Sequence, residues 1–207
     1  MLIEVGTPAY HHPRIATVAQ SGLGHNVLQL GLPAVPVSDA ETGLSPGSRW
    51  KPPGVQSPGV VAPITVRRLD SQGGSLYLDI RSGYPNLRMW RRNVEWNADE
   101  IRVEDEVELC GVVPQIIGFR WHLGSPDSVH LSRSGRIWIA KWAECDLAIE
   151  SAADLSVTQE SCFDNSVENR EWDDPNPDHL HVCLHVRTAE PAMGVRIGFH
   201  AAAGLKS

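Results

Sequence analysis

The chain has 207 residues, of which 42% are hydrophobic and 21% charged. That balance excludes wholesale disorder and predicts a packed core, within the length of one large β domain. A formal charge of -7, from 25 acidic and 18 basic side chains, excludes the broad basic surface of a nucleic-acid binder.

The first residues lack the basic-then-apolar layout of a signal peptide, and no apolar run reaches the roughly 18 residues needed to cross a bilayer. Neither nucleic acid nor membrane is expected as a partner. Leu2-Val5 reads as a strand directly after Met1, an opening expected of a truncated gene model or of a domain split from a longer protein. Residues 1–30 hold three β-length apolar stretches, Leu2-Val5, Ile15-Ala19 and Asn26-Leu30, punctuated by Gly and Pro. Residues 31–63 are crowded with Pro and Gly, show no period, and are expected to form a long surface excursion.

A period of two then takes over. Ile64, Val66 and Leu69 lead through Ser71-Gln72-Gly73-Gly74, a hairpin turn, to Leu76, Leu78 and Ile80. Met89-Trp96 precedes two apolar stretches, Ile101-Val103 and Val107-Leu109, and Ile116-Leu123 follows Pro114. Ile137-Ile139, Leu147-Ile149 and Leu155-Val157 come after Ser132-Arg133-Ser134-Gly135, while His179-Val186 and Val195-Phe199 complete the set. No helical period is sustained over three turns. The expectation is all-β: one domain over 1–207, a large antiparallel sandwich of two packed sheets with more than ten strands.

Four cysteines, Cys110, Cys145, Cys162 and Cys183, have no CxxC spacing and are expected to be buried free thiols. His179, His181, Cys183 and His185 alternate with Leu180, Val182, Leu184 and Val186, so a strand puts all four metal-capable side chains on one face. That face could bind a transition metal, or it is the half-exposed side of a strand whose aliphatics point inward. Residues two apart on a strand lie about 7 Å apart, which is far for shared ligation. Trp90, Trp96, Trp121, Trp138 and Trp142 fall on predicted strands and read as packing residues, whereas Trp50 and Trp172 read as exposed and able to stack on a sugar. Nucleotide-binding, nucleophile-elbow and HExxH templates are absent, and Asp173-Asp178 reads as a solvated turn.

Glu4-Val5-Gly6-Thr7-Pro8-Ala9-Tyr10, followed by Ser21-Gly22-Leu23-Gly24-His25-Asn26-Val27, resembles the heparinase II/III family of polysaccharide lyases. There an acidic residue before Gly-Thr leads to a Tyr, and then to a Ser-x-x-x-His-Asn ahead of an apolar strand. Weaker echoes are Leu87-Trp96 before the acidic Val103-Glu104-Asp105, and Phe119-Arg120-Trp121-His122-Leu123, which looks like the family's aromatic-His-Leu strand. The resemblance implies a helical toroid followed by a β-sandwich, with the sugar cleft between them; the toroid has no counterpart in these 207 residues.

It further implies a structural zinc, to which Glu4 and His25 would contribute. Carboxylate oxygen and imidazole nitrogen at roughly 2.0–2.2 Å suit that ion. Glu4 stands where Asp is usual, one methylene farther from the backbone, and the His-x-His segment supplying a third ligand and a catalytic His would precede Met1. Such lyases cleave at O4 of a uronate by β-elimination, which needs a proton taken at C5 and one given to the leaving oxygen. Tyr10 and His11, with His12 beside them, are the nearby groups able to trade a proton, unless they form only a surface turn before Pro13. Asn26 and Trp50 are the expected sugar contacts. An acidic polysaccharide, a partner toroid domain, a periplasmic or secreted setting and little activity for this chain alone follow from the resemblance. The alternative is a non-catalytic carbohydrate-binding or assembly sandwich.

Overall fold

A computed structural model describes residues 28–30, 62–84, 86–123, 129–142, 145–163 and 180–203, with the side chains of 29, 161–163, 180, 181 and 203 outside the description. Twelve strands run through these residues: β1 (Leu28–Leu30), β2 (Ile64–Asp70), β3 (Gly73–Asp79), β4 (Leu87–Asn97), β5 (Glu100–Leu109), β6 (Ile117–Leu123), β7 (His130–Ser134), β8 (Ile137–Trp142), β9 (Cys145–Ser151), β10 (Leu155–Phe163), β11 (Leu180–Thr188) and β12 (Gly194–Ala203). They form an eight-stranded sheet in the order β2-β3-β4-β5-β12-β9-β8-β7 and a four-stranded sheet in the order β1-β6-β11-β10. Every ladder is antiparallel, as the sequence predicts.

Alternation decides which face is buried. On β6, Ile117, Phe119, Trp121 and Leu123 point into the sandwich, as do Val182, Leu184 and Val186 of β11. Trp90 of β4, Val103 and Val107 of β5, Leu147 and Ile149 of β9, and Ile197 and Phe199 of β12 meet them from the larger sheet. Removing each such side chain from water stabilises the fold by about 1.5–3 kcal/mol. The rings interlock across the sheets: Trp121 and Phe199 have centroids 4.4 Å apart, Phe119 and Phe199 5.8 Å, and Trp90 and Phe119 6.4 Å.

One ion pair is built into this core. Asp105 accepts from the Trp90 indole at 2.6 Å and from Arg92 Nε and Nη2, each at 2.9 Å. The Arg92 guanidinium lies 5.4 Å from the centroids of both Trp90 and Trp121, so the cation is sandwiched between two indole faces. Here the structure corrects a boundary. The charged residues between Ile101-Val103 and Val107-Leu109 do not interrupt the strand, because Asp105 turns inward onto Arg92 while Glu104 and Glu106 turn out, leaving β5 continuous. The stretch 130–134 likewise belongs to a strand, with the turn falling at Gly135 and Arg136; Arg133 lies over the Trp138 ring at 5.5 Å and pairs with Asp154. The β2–β3 hairpin turn is narrower than its four polar residues imply, since Gly73 already pairs with Asp70.

The excursion over 31–63 lies outside the described residues except for its last two positions, and so do Glu4, Tyr10, His11, His25, Asn26, Trp50 and Trp172. Of the cysteines, Cys110, Cys145 and Cys183 carry free thiols, and Cys110 is exposed rather than buried because it sits in the turn after β5.

Candidate functional site

The four-stranded sheet has a second face, turned away from the core. Antiparallel pairing aligns Glu160 of β10 with Cys183 of β11, and Cys183 with His122 of β6. One row along, His185 lies opposite Arg120. The alternation that sends Val182, Leu184 and Val186 into the core therefore sends Cys183 and His185 outward, and the same logic on β6 places Arg120 and His122 beside them.

This face is not the solvated surface that alternating polar residues usually make. Cys183 and His122 are 0% exposed, and Arg120 is 5% exposed. His185 Nε2 lies 2.8 Å from Glu160 Oε1, and Arg120 Nη2 lies 2.5 Å from the same oxygen. The Cys183 sulfur is 3.9 Å from His122 Nε2 and 3.7 Å from its neighbour's carbonyl, Leu184 O. Donor atoms of Glu160, Cys183 and His185 all fall within 4.8 Å of one another.

Electrostatics follow from these contacts. Burial pushes the Glu160 carboxyl up, but the His185 hydrogen bond and the Arg120 charge outweigh it and bring it down to about 2. Burial pulls the His185 imidazole down, and its hydrogen bonds to Cys183 and Glu160 more than reverse that, so it ends above its ordinary value. The result is an ionised carboxylate held between the Arg120 guanidinium and the His185 imidazole, with a thiol alongside.

Of the alternating residues singled out in the sequence, the structure brings Cys183 and His185 together. His181 lies on β11 with its side chain outside the description, and His179 lies outside the described residues. Glu160 and Arg120 are the members that sequence reading misses. Polar-out alternation at Thr158 and Glu160 marks the face of β10, but nothing local says that β10 pairs with β11 across residues 164–179.

A different feature lies on the outer face of the larger sheet. A shallow depression of about 310 Å3 is lined by Asp79, Arg81, Arg88, Met89, Arg91 and Glu108. Arg88 is tied to Glu108 at 3.1 Å. The three guanidinium groups give this spot a local positive surplus on a chain that is negative as a whole.

No family model matches the chain, and no curated protein matches it. Among solved structures, a heparinase III gene product is similar at 10% identity and TM-score 0.49, over 67% of this chain and 21% of that one. Heparan sulfate lyase HepC from Pedobacter heparinus is similar at 16% identity and TM-score 0.47, over 70% of this chain and 22% of that one. A heparinase III matches at 14% identity and TM-score 0.42, over 69% and 22%. The chain spans about a fifth of the length of the structures it matches.

Proposed function

We propose that this chain is the β-sandwich part of a heparinase II/III-like polysaccharide lyase, forming one wall of a cleft in which a uronate-containing glycan undergoes β-elimination. The observation that supports the reading is a register. β1, the apolar strand that follows His25-Asn26, is hydrogen-bonded to β6, with Leu28 opposite Phe119 and Leu30 opposite Ile117. Two stretches far apart in the chain, each resembling the family independently, are thus neighbours in one sheet.

In this reading a helical toroid domain supplies the other wall and the principal catalytic groups. Glu4 and His25 contribute to its structural zinc, Tyr10 and His11 lie at the cleft, and Asn26 and Trp50 contact sugar. The Arg81, Arg88 and Arg91 depression is a place where carboxylate or sulfate groups of a long acidic chain can be met, because guanidinium forks match such anions. The work is done in the periplasm or outside the cell, where polymeric glycans are encountered.

Mapping the 5′ end of the transcript, followed by assay of the protein it encodes, tests the proposal. A transcript that begins well upstream and encodes a helical region with an His-x-His segment, whose product releases unsaturated uronate from an acidic glycan, is the expected result. Residues 1–207 alone should release none. A transcript starting just before Met1, with a product that binds glycans but cleaves none, overturns the lyase reading in favour of a non-catalytic carbohydrate-binding sandwich.

A further inference from the structure

We propose that the outer face of the four-stranded sheet is a zinc-class metal site, with Cys183 and His185 of β11, Glu160 of β10 and His122 of β6 as its ligands. Neither Glu4 nor His25 is among these ligands, and the site stands independently of the lyase reading.

Position comes first. Three of the four residues, Glu160, Cys183 and His122, form one row across three adjacent strands. Neighbouring strands lie about 4.8 Å apart, so side chains in a row approach more closely than residues two apart along one strand. His185 joins by leaning back along β11, which brings its Nε2 within 2.8 Å of Glu160 Oε1. The 7 Å spacing that argues against ligation by one strand is overcome because the ligands come from three.

Donor chemistry comes next. Zinc takes thiolate sulfur at about 2.3 Å and imidazole nitrogen at about 2.0–2.1 Å, so two such donors on a tetrahedral ion are roughly 3.6 Å apart. Cys183 Sγ and His122 Nε2 are already 3.9 Å apart, and the wider group of Glu160, Cys183 and His185 spans at most 4.8 Å. Small side-chain rotations bring Glu160, Cys183 and His185 onto one ion, whereas His122, which lies beside the Cys183 sulfur but outside that group, has to turn further to complete the set. One sulfur, two nitrogens and one carboxylate oxygen complete a tetrahedron, which is the closed arrangement of a structural site.

Charge and burial agree. Thiolate and carboxylate together offset the dication, and Arg120, bonded to Glu160, orients that carboxylate from outside the ligand set as outer partners of metal ligands do. Cys183, His122 and Arg120 are buried on this face while His185 and Glu160 are partly exposed, and burying thiol, imidazole and ionised groups carries a desolvation cost that aliphatic side chains avoid. A bound metal supplies the compensating interaction, and binding it releases the Cys183 thiol proton together with any proton carried by the ligating imidazole nitrogens.

Cobalt(II) added to the metal-free full chain is the test, because only a sulfur ligand gives the thiolate-to-cobalt charge-transfer band in the near ultraviolet. The carboxylate and imidazole of Glu4 and His25 give none. The expected result is a band that saturates at one equivalent, is displaced by zinc, survives Cys110→Ser, Cys145→Ser and Cys162→Ser, and disappears in Cys183→Ser. His185→Gln and Glu160→Gln, which keep the thiol, should weaken cobalt binding about tenfold or more with the far-ultraviolet circular dichroism unchanged. They also decide the matter if Cys183→Ser does not fold. No band, a band that persists without Cys183, or full affinity in both glutamine variants overturns the proposal.

Discussion

Asp105 sits fully buried opposite Ile197 of β12, and hydrogen bonds from the Trp90 indole and the Arg92 guanidinium hold its charge there. Asp105→Ala strands the Arg92 cation between two indoles and should cost about 3–5 kcal/mol in urea unfolding. The double replacement Arg92→Met with Asp105→Leu should be less damaging than Asp105→Ala, since apolar side chains of similar volume leave no orphaned charge. A coupling energy below about 0.5 kcal/mol in a cycle of single and double variants would show that the pair does not act as a unit. Period-two reading already puts Trp90 and Arg92 on one face of β4, and Asp105 with Val103 and Val107 on one face of β5. What the sequence hides is that both faces are the inner ones, so a charged stretch reads as a gap until its partner strand is known.

Tyr84 makes the matching point for β1. Its hydroxyl donates to the Leu28 carbonyl at 3.1 Å, tying a three-residue strand to the core. Burial holds the phenol well above its ordinary value of 10.0, with Arg92 pulling it back and Asp105 pushing it further up. The folded chain therefore keeps the Tyr84 proton after the unfolded chain has lost it. The associated stability is fully present below pH 10 and falls as the pH rises beyond that. Tyr84→Phe should lower stability by about 1 kcal/mol at neutral pH and make the alkaline loss shallower. An unchanged alkaline limb in unfolding curves would contradict this.

Among the described strands, β2 is the one whose seven residues are all exposed, Ile64 at 61%, Val66 at 58% and Leu69 at 71%, and it is an edge strand of the eight-stranded sheet. Backbone pairing to β3 is nearly all that fixes this edge strand. Amide hydrogen exchange in β2 should accordingly proceed by local opening at a lower free energy than in β5, β11 or β12; equal protection throughout would mean that the hairpin is braced by something other than its ladder. Gly74 provides the next anchor, since a Cβ there would run into the Trp96 indole. Gly74→Ala should displace that ring, shift tryptophan fluorescence and cost about 1–3 kcal/mol. The apolar alternation of Ile64, Val66 and Leu69 reads as a half-buried strand, yet nothing in a period of two reveals that, among the described residues, the opposing sheet has four strands to the larger sheet's eight. β11 shows the converse, with a face that alternation marks as polar and that the fold nevertheless encloses at Cys183.

At the scale of the molecule, the strand count, the absence of sustained helical period and the antiparallel sandwich are all legible, because each rests on local spacing. Sheet order is not. β12 pairs with β5 on one side and with β9 on the other, joining residues nearly a hundred positions apart, as Phe199 opposite Val103 shows. It also supplies Ile197 and Phe199 to the centre of the core. A variant lacking 194–203 should lose the sandwich altogether and aggregate, rather than lose one peripheral strand; a soluble, cooperatively unfolding product would refute that placement.

A strand so late in the sequence and so central in the sheet has a consequence for biosynthesis. While the protein is being made, β2–β5 and β7–β9 can each pair locally, but they remain two ribbons with bare margins until residues 194–203 clear the ribosome and zip between them. The interval before that closure is when the nascent polypeptide most needs a chaperone.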